Sequence, residues 1–225
     1  MFPPPLPLLS IIQNDNDTNT IVYTSKEFQP CAETFSEKYS FVGPSVRETT
    51  VSIQKGEKKL IYISLGTVNN IMLQFYKNCI SALKDSEYQV IMSIGDHISF
   101  EDLGDIPSNI EVYHSVDQIA VLQKADAFLT HCGMNSVNEA LYYEVPLILF
   151  PQTSEQDGVA RQVSNMEAGI YLPKNKPAAI RNAISSVLNE KKYKKNASFI
   201  AESFHKSGGS AAAADAILKV IQNKK

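Results

Sequence analysis

Three cysteines in 225 residues, Cys31, Cys79 and Cys132, are too few and too widely spaced for a disulfide framework or a zinc site. They suggest a reducing, cytoplasmic setting. No charge of one sign dominates: 21 Lys and Arg against 24 Asp and Glu leave a formal charge of −3. No broad basic field is therefore available for a nucleic-acid backbone. Long apolar runs are missing too. The longest, Val145 to Phe150, falls far short of the roughly 20 residues that cross a bilayer. The opening stretch from Met1 to Leu9 has no basic region and is broken by prolines, so it does not read as a secretory signal. Glycine (10) and proline (11) are too scarce for a collagen-like or low-complexity chain. There is no Gly-x-Gly-x-x-Gly fingerprint and no Walker loop, which argues against a nicotinamide dehydrogenase or a P-loop NTPase. No sequence repeat is visible.

What is present is ordinary globular composition, 44% hydrophobic and 20% charged, enough for one large domain with appendages. Residues 1–20 form an ill-defined segment, proline-rich and then polar. Residues 21–59 read as a short strand at 21–24, one short helix near 31–37 and a connector carrying Gly43-Pro44 and the charged run Lys55 to Lys59. A regular pattern then begins. Apolar runs at 60–65, 88–94, 110–113, 127–130, 146–150 and 169–172 read as strands, the first continuous enough to be buried on both faces. Between them, Met72, Phe75, Tyr76, Cys79, Ile80 and Leu83 recur at helical spacing. Further helices are expected around 117–123, 135–143 and 157–167, and two or three more close the chain. Strands alternating with helices predict an α/β fold: a Rossmann-like parallel six-stranded sheet with helices on both faces.

In such a sheet ligands bind at the loops leaving the carboxyl ends of the strands. The loop after the fourth run, His131-Cys-Gly-Met-Asn-Ser-Val-Asn-Glu139, is the most informative. Gly133 permits a tight turn, and Asn135-Ser136 opens a helix whose free N–H groups and positive dipole end suit a phosphate. Ser136 can add a hydroxyl and His131 a ring N–H. The Glu139 carboxylate can accept two hydrogen bonds from a vicinal diol such as that of ribose. The same Ser136-x-x-Glu139 pattern also fits a capping box that needs no ligand. Cys132 reads as a small buried hydrophobe. After the fifth run, Glu155 and Gln156 are suited to sugar hydroxyls, but an acidic residue in a first helical turn is also common without a ligand. Asp157 has a weaker claim on the same grounds.

Taken together, His131 to Glu139, then Pro151, then Glu155-Gln156 resemble the donor-binding signature of UDP-dependent glycosyltransferases of the macrolide and plant secondary-product type. The interval from His131 to Gln156 matches that family. Ile61 to Thr67 resembles its strand entering a Gly-Ser/Thr turn, Phe41 to Ser45 its interdomain linker, and Gly208-Gly-Ser210 its C-terminal pattern. The likeness covers roughly residues 20–223.

The resemblance implies one half of a GT-B enzyme, with the donor-binding domain at 60–207, a remnant of the first domain and linker at 21–59, and a last helix at 208–225 packing toward the missing domain. It implies that His131 and Ser136 contact the diphosphate, with Asn135 ordering the same turn and Gly133 part of the same binding loop, and that Gly66 and Thr67 lie against the nucleotide phosphates. Glu139 would take the ribose, Glu155 and Gln156 the hexose, and Val116 and Gln118 would flank the uracil. The implied reaction is hexosyl transfer from a UDP-sugar to a small-molecule hydroxyl, with inversion. No cofactor or metal would be required if the helix dipole and His131 meet the leaving charge, and no Asp-x-Asp motif is present. Two departures stand out. Ser115 and Asp117 occupy positions where many members carry Trp and Pro, which removes the base-stacking ring. No histidine precedes His97, so the catalytic base would lie in the missing acceptor half, and the chain alone would bind donor with little chemistry. The surface exposed in a lone half would be open to a second copy. A non-catalytic nucleotide-sugar-binding module is the alternative of a different class. A UDP-sugar epimerase fits the Asn-Ser and Glu-Gln elements less well.

Overall fold

The computed structural model describes residues 18–68 and 70–222. Most of the expected segment at 1–20, and Asn69 of the turn after the first long strand, lie outside the described residues. The chain divides into two compact units, one formed by Val46–Glu202 and one by the two ends of the chain, Met1–Ser45 with Ser203–Lys225.

The larger unit is built on six parallel strands: β3 (Leu60–Ser64), β4 (Gln89–Ser93), β5 (Ile110–Tyr113), β6 (Ala127–Thr130), β7 (Leu147–Leu149) and β8 (Gly169–Tyr171). Their order across the sheet is β5-β4-β3-β6-β7-β8. The chain thus winds outward from β3 in one direction, returns to β6 beside β3, and winds outward in the other. This is the doubly wound arrangement that the alternating strand and helix signals predict.

Every residue of β3 is buried, as its unbroken apolar run requires of a central strand covered on both faces. Alternate residues point opposite ways. Ile61, Ile63, Val90, Met92, Ala127 and Leu129 join a core with α1 (Leu73–Leu83) and α6 (Pro177–Asn189). On the opposite face Tyr62 stacks on Phe128 with ring centroids 4.6 Å apart, and its hydroxyl donates to Gln118 of α3 (Gln118–Leu122). Helices α4 (Met134–Tyr142) and α5 (Ser154–Asn165) follow β6 and β7, and α7 (Lys191–Lys206) follows α6. A short α2 (Phe100–Leu103), capped by the Ser99 hydroxyl, interrupts the loop after β4.

The smaller unit pairs two short strands in parallel, β1 (Thr20–Val22) and β2 (Tyr39–Phe41). A single 3₁₀ turn at Ala32–Thr34 stands where a helix near 31–37 is expected. In this unit Phe28 meets Phe204 edge-on at 5.6 Å, and the hydroxyls of Ser25 and Ser203 share a hydrogen bond of 2.7 Å. The final helix, α8 (Gly209–Gln222), is tied at its start by the Gly209 N–H donating to the Val42 carbonyl. Among the described residues no helix is long and apolar enough to cross a membrane.

Candidate functional site

The strand order reverses between β3 and β6, and the loops leaving these two strands diverge there. Such a notch is where an open α/β sheet holds its ligand. A cleft of about 680 Å³ occupies it, lined by the loops after β3, β4, β5, β6 and β7. Ten of the eleven residues expected from the sequence line this cleft: Gly66, Thr67, Val116, Gln118, His131, Gly133, Asn135, Ser136, Glu155 and Gln156.

Glu139 is the exception, for it lies one layer behind. Its carboxylate accepts a 2.6 Å hydrogen bond from the Gln118 amide, and the same amide reaches the Ser136 hydroxyl at 3.3 Å. The Tyr62 hydroxyl in turn donates to Gln118 at 3.2 Å. A hydrogen-bonded chain therefore joins β3, α3 and α4 across the floor of the cleft. Helix α4 begins at Met134 with Gly133 as its N-cap and no side-chain cap. Ser136 sits inside the helix, so the capping-box reading of Ser136 and Glu139 does not apply. At the same edge α3 and α5 are each closed by a side chain, Asp117 accepting from the Ala120 N–H and Thr153 from the Gln156 N–H. The first turn of α4 is left with its backbone donors and dipole unmet by any side chain of its own.

His131 lies against this turn. A Cβ on Gly66 would stand 2.6 Å from the ring's Cε1, and a Cβ on Gly133 would stand 2.6 Å from its Nε2. The imidazole is thus seated between two backbones that must be glycine. The reason at Gly133 differs from the expected one. Its φ is −60°, and the residue that turns the chain with positive φ is Cys132, at 67°. Gly133 supplies room. Cys132 is fully buried, as its reading as a small hydrophobe requires, and burial pushes its thiol pKa up to about 12.

Burial lowers the pKa of His131 below the ordinary histidine value, against the pull of the Glu155 carboxylate. A hydrogen bond to the Ser64 backbone also raises it, and Oδ1 of Asn70 is buried without a partner. Asn70 uses its amide to hold the Gly66 carbonyl at 2.9 Å, and it packs so close to Gly95 that a Cβ there would collide with Asn70 Nδ2.

At the β7 side, Gln156 accepts from the Gln152 N–H at 2.9 Å through Oε1, and its amide N–H groups are donors. Asp157 is used structurally. Its carboxylate pairs with Arg161 one turn on and accepts from the Tyr171 hydroxyl at 3.1 Å. Asn70, Asp96, His97 and His114 also line the cleft and are absent from the sequence reading. The signal that would have found them is the strand-end rule itself, applied to the whole of the loops after β3, β4 and β5 as fully as to the loop after β6. Among the described residues no group of three or more His, Cys, Asp or Glu is placed to hold a metal ion.

The family model described as Erythromycin biosynthesis protein CIII-like, C-terminal domain, matches residues 77–214. The chain belongs to this family. Relatives of this CIII-like domain include a Bacillus subtilis protein described as an uncharacterized UDP-glucosyltransferase, YojK, 40% identical over 212 residues. That match covers 91% of this chain and 52% of YojK. The NDP-glycosyltransferase YjiC of Bacillus subtilis is 40% identical over 200 residues, covering 86% of this chain and 51% of its own. The crystal structure of the calicheamicin glycosyltransferase CalG4 superposes with a TM-score of 0.84 at 32% identity, over 91% of this chain and 54% of CalG4. The CIII-like chain thus spans about half the length of the relatives it matches, and its fold is that of one half of a GT-B glycosyltransferase.

Proposed function

We propose that this domain binds the nucleotide-sugar donor of a glycosyltransferase and grips the donor's diphosphate where β6 gives way to α4. One observation carries the reading: the N-terminus of α4, uncapped by any side chain, opens on the cleft that His131, Asn135 and Ser136 line. Backbone N–H groups at a helix start bind phosphate oxygens, and the dipole favours their charge. The names of YojK and YjiC support a UDP-sugar or a related nucleoside diphosphate sugar as donor.

The residues divide the donor among them. The α4 turn with Asn135, Ser136 and His131 takes the phosphates, and Gly66 and Thr67 close over them from β3. Glu139 takes the ribose hydroxyls once Gln118 yields, and Val116 and Gln118 flank the base. Glu155 accepts from sugar hydroxyls, and Gln156 donates to them. As the glycosidic bond to the donor phosphate breaks, negative charge grows on the leaving diphosphate. The preset donors of the α4 turn and His131 meet it without reorganising. In the whole enzyme an acceptor domain presents a hydroxyl to the anomeric carbon from the opposite face, a base there takes its proton, and configuration inverts. This half holds the donor and stabilises the leaving group, and needs no further cofactor for that.

Isothermal titration of the chain with UDP and with UDP-glucose tests the assignment. Saturable binding of both, reduced at least tenfold in His131→Ala with the fold intact, is expected. Native protein that binds neither UDP nor inorganic pyrophosphate would overturn it. Binding without transfer, when a complementing acceptor domain and acceptor are supplied, would leave a nucleotide-sugar-binding module instead of an enzyme.

A further inference from the structure

The strand order lays the loops along the sheet edge in the sequence β7, β6, β3, β4, β5. If the phosphates rest at the β6–β3 notch and the sugar over the β7 loop, the nucleoside extends over β4 and β5. Strands lie about 4.8 Å apart, so two steps from β3 to β5 give it roughly 10 Å. A base arriving there needs a flat face, and residue 115 is a serine. The ring-bearing residues that line the cleft are Tyr62, His97, His114 and His131. Tyr62 is only 1% exposed, and His131 belongs to the phosphate end. His97 stands exposed on its loop.

His114 alone among these is both fixed and accessible. Phe100 backs its ring at 4.4 Å between centroids and 25° between planes. Its Nδ1 lies 2.8 Å from the Gly95 carbonyl oxygen. A carbonyl can only accept, so Nδ1 carries a proton. The ring is tethered at one edge and supported behind.

We infer that His114, backed by Phe100 and tethered to Gly95, is the platform on which the nucleobase of the donor stacks. The inference rests on the donor-binding reading above. A stacking platform takes any base, because every base has a π face. Room is also present: a second cavity of about 430 Å³ adjoins the cleft, sharing Ser115 and Val116 with it and lined further by Val51, Ile53, Ile91 and Tyr113. A purine can extend past Ser115 where a tryptophan would bar it. The cleft therefore selects the diphosphate and tolerates the base.

Titration of UDP, ADP, GDP and inorganic pyrophosphate against the native chain, His114→Ala and His114→Phe tests this. Native affinities for UDP, ADP and GDP should agree within about tenfold. His114→Ala should lose about ten- to a hundredfold in UDP affinity, the usual worth of a base–aromatic stack. Its pyrophosphate affinity should not change, and His114→Phe should restore UDP binding. Phe100→Ala, which leaves the ring in place but unsupported, should show a smaller loss of the same kind. Equal losses for UDP and pyrophosphate, an unchanged UDP affinity, or UDP favoured over ADP and GDP by more than a hundredfold would each overturn the inference. A native chain that binds neither UDP nor pyrophosphate would instead sink the donor-site reading, and this inference with it.

Discussion

Gln118 donates its side-chain amide to the Glu139 carboxylate across 2.6 Å, and the bond ties α3 to α4 beneath the cleft. The carboxylate proposed for the ribose is thus already engaged, and a ribose diol must share it with Gln118 or displace the amide. Glu139→Ala removes a charged acceptor and strands the Gln118 amide. It should weaken UDP binding by about 1.5–3 kcal/mol, the usual worth of hydrogen bonds to a charged group. Because the two side chains act through one bond, Gln118→Ala and Glu139→Ala should be non-additive by at least about 0.5 kcal/mol in a double-mutant cycle read by calorimetry. Strict additivity would mean that the ribose does not use this pair.

Gly66 and Gly133 both make room for His131, but they carry different backbone demands. Gly66 has φ 75°, in the left-handed region, whereas Gly133 has φ −60°. Gly66→Ala should therefore cost about 1–3 kcal/mol of stability as well as displacing the ring. Gly133→Ala should displace the ring with a smaller loss of stability. Both variants should lose affinity for pyrophosphate. Urea unfolding midpoints separate the two costs, and equal destabilisation would contradict the role given to φ at Gly66.

Gln156 offers a test of the sugar end that leaves the nucleotide alone. Its Oε1 is held by the Gln152 N–H at 2.9 Å, and its amide N–H groups are its donors toward a hexose. Gln156→Glu keeps that oxygen bond and removes the donors. UDP affinity should stay within about twofold, while the difference between UDP-glucose and UDP should shrink by about 0.5–1.5 kcal/mol, one hydrogen bond's net worth. A comparable loss for UDP itself would place Gln156 at the phosphates.

Much of the fold is legible because β3, β6 and β7 are buried on both faces and announce themselves as unbroken apolar runs. Short elements outside such apolar runs carry no such signal. β2 (Tyr39–Phe41) vanishes into what reads as a connector, and α2 (Phe100–Leu103) is a single turn. Helix α5 starts at Ser154, three residues before the expected 157, because Thr153 supplies a cap ahead of the first apolar position. In the site, motif residues such as His131 and Gln156 stand out by type and spacing. Asn70 and His114 do not. Their importance comes from what the fold places beside them, the Gly66 carbonyl and the Phe100 ring. The parallel pairing of all six strands brings those loops to one edge.

Asp117 does three jobs. It caps α3 through the Ala120 N–H at 3.1 Å, accepts from Arg47 at 2.7 Å, and accepts from the Thr49 hydroxyl at 2.8 Å. These bonds pin the segment ahead of β3 to the loop that carries Val116 and Gln118. The Arg47 guanidinium is the largest influence in holding the Asp117 pKa at about 2. A carboxylate bound more tightly as an anion in the folded state stabilises that state only while ionised. Its contribution is complete above the unfolded value, about 3.9 for aspartate, and is lost as pH falls through the folded one. Asp117→Ala should cost about 0.5–2 kcal/mol at pH 7, chiefly as a lost cap. The gap between native and variant unfolding free energies should begin to close below pH ~4 and be small near pH 2. Asp117→Asn retains a capping oxygen and isolates the charge. It should fall between the other two at pH 7, and high salt should narrow its gap from native protein by screening the exposed Arg47. A difference between native protein and the Asp117→Asn variant that ignores both pH and salt would remove the ion pair from the account and leave the cap alone.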